Sequence, residues 1–447
     1  MQNNFFIKIK QQIAKGGDVV SSNIYILSIR DGFLYATPLI IISSFFLLFI
    51  NFPLPNWNEL MSNILGDNWK VIFSAPVNAI TNIIALLAVL SISFKLADRK
   101  KSDSFQIAIT ALVAFLIVTP FFTEIFDDQG SIVDKINSLP LKWIGANGLF
   151  LAIIIAIVTT NLYVFLKEKN ITIKLSSNIP KEVANSFTAL VPCGIIIIVF
   201  TICGFLMTLT PFGTLHQLIY SLLQQPLLIV GSSLPMVLVS VLIVHVFWFL
   251  GINGTSIVSS VYGPILSVLS IENLEVFQSG GIPSNIVTGQ FQGTLVVIGG
   301  AGATLSLCLV IIFFCKSKEL RELIKLAIVP SIFGINEPIL FGLPIVLNPK
   351  LLVPFILVPL VNTIISYFAI YFNFVPCTNG IQIPWTTPPI ISGFLLHGWS
   401  GSVLQVILIL IGMLIYFPFI KKIDNQYLIV DNEQAQLSSQ DIHANIC

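Results

Sequence analysis

Long apolar runs dominate the chain from Phe33 onward, interrupted by short clusters of basic residues, prolines and glycines. A helix needs about 20 mostly apolar residues to cross a bilayer. Ten runs suit that role: 33–50, 73–94, 105–125, 148–166, 186–209, 228–250, 255–271, 293–315, 351–372 and 397–420. The seventh is the shortest and carries Gly263 and Pro264. Two further apolar segments, 326–349 and 375–395, are too interrupted to be straight spans. The pattern predicts an all-α polytopic membrane protein with about ten transmembrane helices plus two re-entrant hairpins.

The first interrupted segment places Pro330, Pro338, Pro344 and Pro349 among Gly334 and Gly342, with one carboxylate, Glu337. Proline removes a backbone donor and clashes with the preceding turn, so the run breaks. Broken backbone at membrane depth is tolerated only inside protein or along a wet cavity. An ionisable residue there costs roughly 2.5–3.5 kcal/mol even on the gentler insertion scale, which favours a polar substrate site over incidental placement. A structural ion pair or an interfacial position for Glu337 is the blander alternative.

In the second segment Pro384, Pro388 and Pro389 break the helix around Trp385, with Gln382, Thr386, Thr387 and Ser392 nearby. Sugars present apolar CH faces ringed by hydroxyls, so an aromatic plate among amides and hydroxyls suits them. An interfacial tryptophan is the competing reading. Two broken segments flanking a span match transporters whose sites are built from discontinuous helices. His245 falls inside a span, where a hydrogen bond between helices is the commoner role. Asn253 follows Gly251, where the helix is expected to break. Asn78, Thr81 and Asn82 share one helical face and line a cavity or pack against a neighbour. Gly299, Gly300 and Gly302 read as a close-packing surface within the span 293–315.

Composition supports the membrane assignment. Of 447 residues, 55% are hydrophobic and 10% charged, with mean hydropathy +0.92; soluble domains carry about 25% charged residues. The net charge of +1 offers no argument for nucleic acid. With the N-terminus inside, nineteen basic residues fall in cytoplasmic segments, and only Lys70, Lys135 and Lys142 lie outside. That bias predicts an N-in, C-in chain. Residues 1–30 read as an amphipathic cytoplasmic leader, 31–423 as the membrane domain and 424–447 as a polar, flexible cytoplasmic tail. The stretch 211–225 has apolar residues at helical spacing and no charge, which suits a surface-lying helix or an oligomer contact. Six cysteines show no metal-ligand spacing, and no Walker-type phosphate loop occurs. No metal or cofactor is expected.

Several stretches together resemble a known family. GINEPILFGLPIVLNP (334–349), FWFLGING (247–254), IGGAGATLSL (298–307), IPWTTPPIISG (383–393) and IRDGFLYATPLIIISSFFLL (29–48) are similar to the enzyme IIC permeases of the phosphoenolpyruvate-dependent sugar phosphotransferase system (PTS). The branch is that of lactose, cellobiose and N,N'-diacetylchitobiose, and diacetylchitobiose-type members look most alike. The resemblance implies a homodimer in the bacterial inner membrane that imports a β-linked disaccharide, with N,N'-diacetylchitobiose expected before cellobiose or lactose. Separate IIB and IIA proteins supply the phosphate, and an elevator-like movement exposes the sugar inward. The family's hairpin glutamate, which contacts the hydroxyl to be phosphorylated, falls on Glu337, with Asn336 and Trp385 also matching. Relatives carry a histidine where this chain has Asn253, so either His245 substitutes or that position only hydrogen bonds. Gln382, Thr387 and Asn82 complete the expected substrate-binding set. The rival from another class is a proton-coupled disaccharide symporter, with Glu337 as proton carrier; a membrane sugar sensor is remoter.

Overall fold

A computed structural model describes residues 22–50, 56–126, 132–173, 181–343, 345–346 and 348–444. The expected leader up to residue 21 and Pro344 lie outside the described residues. The apolar runs become helices. Among the described residues, six are long and apolar enough to cross a membrane: Ile24–Ile50, Ala146–Glu168, Phe187–Thr208, Gly254–Gln278, Pro349–Tyr371 and Trp399–Ile429. Two helix pairs, Trp69–Thr81 with Ile84–Arg99 and Leu215–Gly231 with Leu234–Phe249, raise the number to eight if each is one broken span. Ser104–Ile117 and Thr304–Phe314 are shorter apolar helices. Leu34, Phe45, Ile198, Phe205 and Leu414 are exposed along these helices, a surface made for lipid rather than water. The chain is a polytopic helical membrane protein.

Packing divides the described chain into two units, one of 22–231 and 259–281, the other of 232–258 and 282–444. In the first, helices Ile24–Ile50, Ile84–Arg99, Ser104–Ile117 and Leu149–Glu168 pack around Ala85, Val89, Ile92, Ile107, Phe115 and Leu149. The Arg99 guanidinium ties two of these helices by donating to Ser28 Oγ at 3.1 Å and pairing with Asp31. In the second unit, Leu307, Ile311, Ile339, Leu340, Leu351, Phe355, Val358 and Tyr416 form the buried core. Asp424, also fully buried, accepts the backbone N–H groups of Lys316 and Ser317 at 2.9 Å each. It thereby holds the two residues that lead into helix Lys318–Ile332.

The segment 326–349 breaks as its prolines and glycines predict. Helix Lys318–Ile332 ends at Phe333, Gly334 takes φ +78°, and helix Glu337–Gly342 follows before helix Pro349–Tyr371. The two arms are so close that an alanine Cβ on Gly342 would come within 2.2 Å of Leu323 Cδ1. In 375–395, irregular backbone continues to Ile390 and gives way to helix Ile391–His397.

Several expected spans are not continuous. The run 73–94 turns at Asn82–Ile83, where the flanking helices bend by 40°. The run 105–125 leaves the helix at Ile117, ahead of Pro120, and its end forms strand Thr123–Phe126 paired antiparallel with Ile132–Ile136. Threonine, isoleucine and phenylalanine favour that extended state, so the fold is not purely α. The run 228–250 divides at Ser232 and Ser233. The run 293–315 is interrupted between Val296 and Thr304, where Gly299, Gly300, Gly302 and Ala303 all take positive φ. Glycine admits that conformation without a Cβ penalty, so the run breaks the span into a turn. The close approach expected of it is also present, since a Cβ on Gly302 would come within 2.3 Å of Phe355. The stretch 211–225 is not a free surface helix, because His216 and Gln224 within it are buried. Finally, the tail expected to be flexible continues helix Trp399–Ala444, since no proline or glycine follows Pro418 to stop it.

Candidate functional site

Three interrupted segments of the second unit wall a cavity of about 540 Å³. The first hairpin contributes Ile332, Gly334, Asn336 and Glu337. The irregular second segment contributes Ile383, Pro384, Trp385, Thr387, Pro389 and Ser392. The glycine-rich turn contributes Val297 to Ala301, and Trp248, Asn253, Thr255 and Ser256 close another side. A helix at any of these places would have bonded its own amides; interruption leaves backbone and polar side chains free to face the cavity.

Glu337 is the first residue of its short helix and is exposed in the cavity mouth, with no bonding partner for its carboxylate among the described residues. Neighbouring Asn336 is buried, and its Nδ2 donates to the Ala301 carbonyl at 2.7 Å. Trp385 is 74% exposed. Its ring lies against the hairpin tip, 3.6 Å from where an alanine Cβ on Gly334 would sit. Asn253 Oδ1 accepts from Ser256 N at 2.9 Å, capping helix Gly254–Gln278. Thr387 turns its hydroxyl back to Pro384 O at 2.7 Å.

Five of the expected site residues, Glu337, Asn336, Trp385, Asn253 and Thr387, thus line one cavity. Three do not. Gln382 lies behind the wall and accepts from Gln290 Nε2 at 2.9 Å, holding a lining residue. His245 is fully buried: Nε2 accepts the Gly302 N–H at 2.8 Å, so Nδ1 carries the proton and donates to Val241 O. Asn82 belongs to the other unit, where it lines a cavity of about 310 Å³ with Asn78, Lys142, Glu275 and Gln278.

Sequence reasoning missed the glycine-rich turn, Gln290, Thr294 and Gln405. Gln405 is fully buried; its Oε1 accepts from Ile390 N and Gly393 N, and its Nε2 donates to Thr294 O at 2.8 Å and Ser392 Oγ at 2.9 Å. One amide therefore joins two walls of the cavity and holds Ile390 at its unusual φ of +73°. A lone glutamine within the otherwise apolar run 403–420 was the available signal, because a polar group there needs partners.

The arrangement supplies one carboxylate, one exposed indole and several amides and hydroxyls around a space within the roughly 300–1,000 Å³ range of small-molecule pockets. That chemistry suits a neutral polyhydroxylated ligand and has a close parallel. The solved structure of the transporter ChbC, the IIC component from the N,N'-diacetylchitobiose-specific phosphotransferase system, superposes with a TM-score of 0.90 at 38% identity. The match covers 95% of this chain and 99% of that one. The cellobiose-specific EIIC component of Geobacillus stearothermophilus is 38% identical over 98% of both chains. The lactose-specific EIICB component of Staphylococcus aureus (strain COL) is 32% identical over 97% of this chain and 75% of its own length. The family model for the phosphotransferase system EIIC matches residues 30–359. The chain belongs to that family, the sugar-specific membrane permeases of the phosphotransferase system.

Proposed function

We propose that the cavity walled by Glu337, Asn336, Trp385, Asn253 and Thr387 is where this permease holds a β-linked disaccharide during import. The observation that carries the reading is a free carboxylate at the head of a broken hairpin, in one cavity with an exposed indole. Trp385 would cover the apolar face of a pyranose, while Asn253, Thr387 and Gln290 bond its hydroxyls. Glu337 orients the hydroxyl that is phosphorylated and takes its proton as the phosphoryl group arrives. The phosphate comes from separate IIB and IIA components; the fusion named in the lactose EIICB relative supports a IIB partner. Relatives named for cellobiose and for N,N'-diacetylchitobiose are equally similar at 38% identity. Diacetylchitobiose is the first candidate and cellobiose the second.

Ten crossings, two re-entrant hairpins, an N-in and C-in orientation, a homodimer and the bacterial inner membrane complete the proposal. The sorting of basic residues supports the orientation. The test is uptake of labelled diacetylchitobiose and cellobiose by cells with and without a working IIB, followed by analysis of the sugar inside. Phosphorylated sugar that vanishes without IIB is the expected result. Free sugar whose accumulation collapses with a protonophore would instead make the chain a symporter.

A further inference from the structure

We infer that His245 and Tyr416 are positioning residues that set the sugar cavity from behind, through the peptide groups of Gly302; this rests on the cavity being the sugar site. His245, on helix Leu234–Phe249, accepts the Gly302 N–H at 2.8 Å. Tyr416, on the C-terminal helix, donates to the Gly302 carbonyl at 2.7 Å. Both side chains are fully buried, and neither lines the cavity. Phe355 fills the remaining side: its ring meets His245 edge-on at 5.3 Å, and an alanine Cβ on Gly302 would come within 2.3 Å of it.

One residue back, the Ala301 carbonyl accepts from Asn336, whose chain neighbour is Glu337. A continuous path therefore runs from two buried anchors, through Gly302 and Ala301, to the hairpin tip that carries the carboxylate. Within the turn Gly300 N donates to Val297 O, Ala303 N to Gly300 O and Thr304 Oγ1 to Gly299 O, whereas the N–H and the carbonyl of Gly302 are both bonded outside it. Those external hydrogen bonds fix Gly302. His245 serves here as an acceptor, with its only proton committed to Val241 O at 2.6 Å. It needs no charge and makes no contact with the ligand.

The path predicts a specific pattern of substitutions. His245→Leu removes the acceptor, His245→Gln restores one at similar reach, and Tyr416→Phe removes a single oxygen. Equilibrium binding of labelled diacetylchitobiose and cellobiose to detergent-solubilised protein is measured for each, alongside Trp385→Ala. Expected are a loss of at least ten-fold in affinity for His245→Leu, recovery of most of it in His245→Gln, and a loss of several-fold for Tyr416→Phe. The double variant His245→Leu/Tyr416→Phe should lose less than the product of the single losses, since the two side chains pin the same residue through its adjacent peptide groups. If His245→Leu does not fold, the Tyr416→Phe result decides. Wild-type affinity in Tyr416→Phe, or in His245→Leu, while Trp385→Ala loses binding would overturn the positioning role. Wild-type affinity in Trp385→Ala would instead overturn the site.

Discussion

Asn336 Nδ2 donates to the Ala301 carbonyl at 2.7 Å, joining the tip of the first hairpin to the glycine-rich turn through one buried amide. Asn336→Ala leaves that carbonyl unpaired, at a cost of about 1–3 kcal/mol. Asn336→Asp fares no better, because an ionised carboxylate only accepts. Both variants should melt earlier in detergent and transport at least ten-fold more slowly. Thermal unfolding and labelled-sugar uptake check this; a wild-type melting point in Asn336→Ala would show that the bond contributes nothing.

Trp385→Ala should weaken sugar binding by about 1–3 kcal/mol, by analogy with base–aromatic stacking. Trp385→Phe should fall between, since a smaller ring still covers part of a pyranose face. The measurement is equilibrium binding. Unchanged affinity would place Trp385 among the interfacial aromatics, where its exposure alone would also put it.

Glu337→Gln keeps the shape of the side chain and one acceptor oxygen, replaces the other with an N–H donor, and removes the ability to take a proton. Sugar binding should therefore be weakened yet retained, while phosphorylation of the bound sugar is lost. Phosphotransfer in membrane vesicles supplied with IIA, IIB and phosphoenolpyruvate separates the two. Wild-type phosphorylation in this variant would remove Glu337 from the chemistry.

Gly302→Ala and Gly342→Ala should behave differently although both glycines sit in close contacts. At Gly342 the neighbour is the end of a flexible leucine side chain, Leu323, which can turn aside. At Gly302 it is the buried ring of Phe355, and φ is +83°, where an added Cβ is strained. Gly302→Ala should cost several-fold more folded, transport-competent protein than Gly342→Ala. Expression yield, melting temperature and uptake measured side by side would show it; equal behaviour would contradict the assignment of Gly302 as a pinned turn residue.

The hairpin was legible in sequence because its cause is local. Gly334 takes the positive φ at which one helix stops, and Pro338 and Pro349 stand in the first turns of the helices that follow, where proline is favoured whatever surrounds it. A carboxylate beside them signals a wet environment. The same holds for the irregular backbone around Trp385. The tail shows the complementary case: polar composition suggested flexibility, and the structure continues a helix through it to Ala444 because nothing in its sequence stops one.

By itself the sequence determined the membrane class, most of the helices, the two interrupted segments and the pairing of Glu337 with Trp385 in one proposed site. Hydropathy, proline and glycine act within a few residues and depend on no partner. Only the tertiary structure decided that the run from Gly299 to Ala303 interrupts its helix, with Gly299, Gly300 and Ala301 lining the cavity and Gly302 packed against Phe355. It also put His245 behind the wall, Asn82 in the other unit and Gln405 across two walls. A glycine run permits both close approach and reversal, and a lone buried histidine, asparagine or glutamine permits any partner within reach. Which partner is met depends on residues 57 to 111 positions away along the chain, as for Gly302 with His245 and Thr294 with Gln405, and no local pattern encodes that distance.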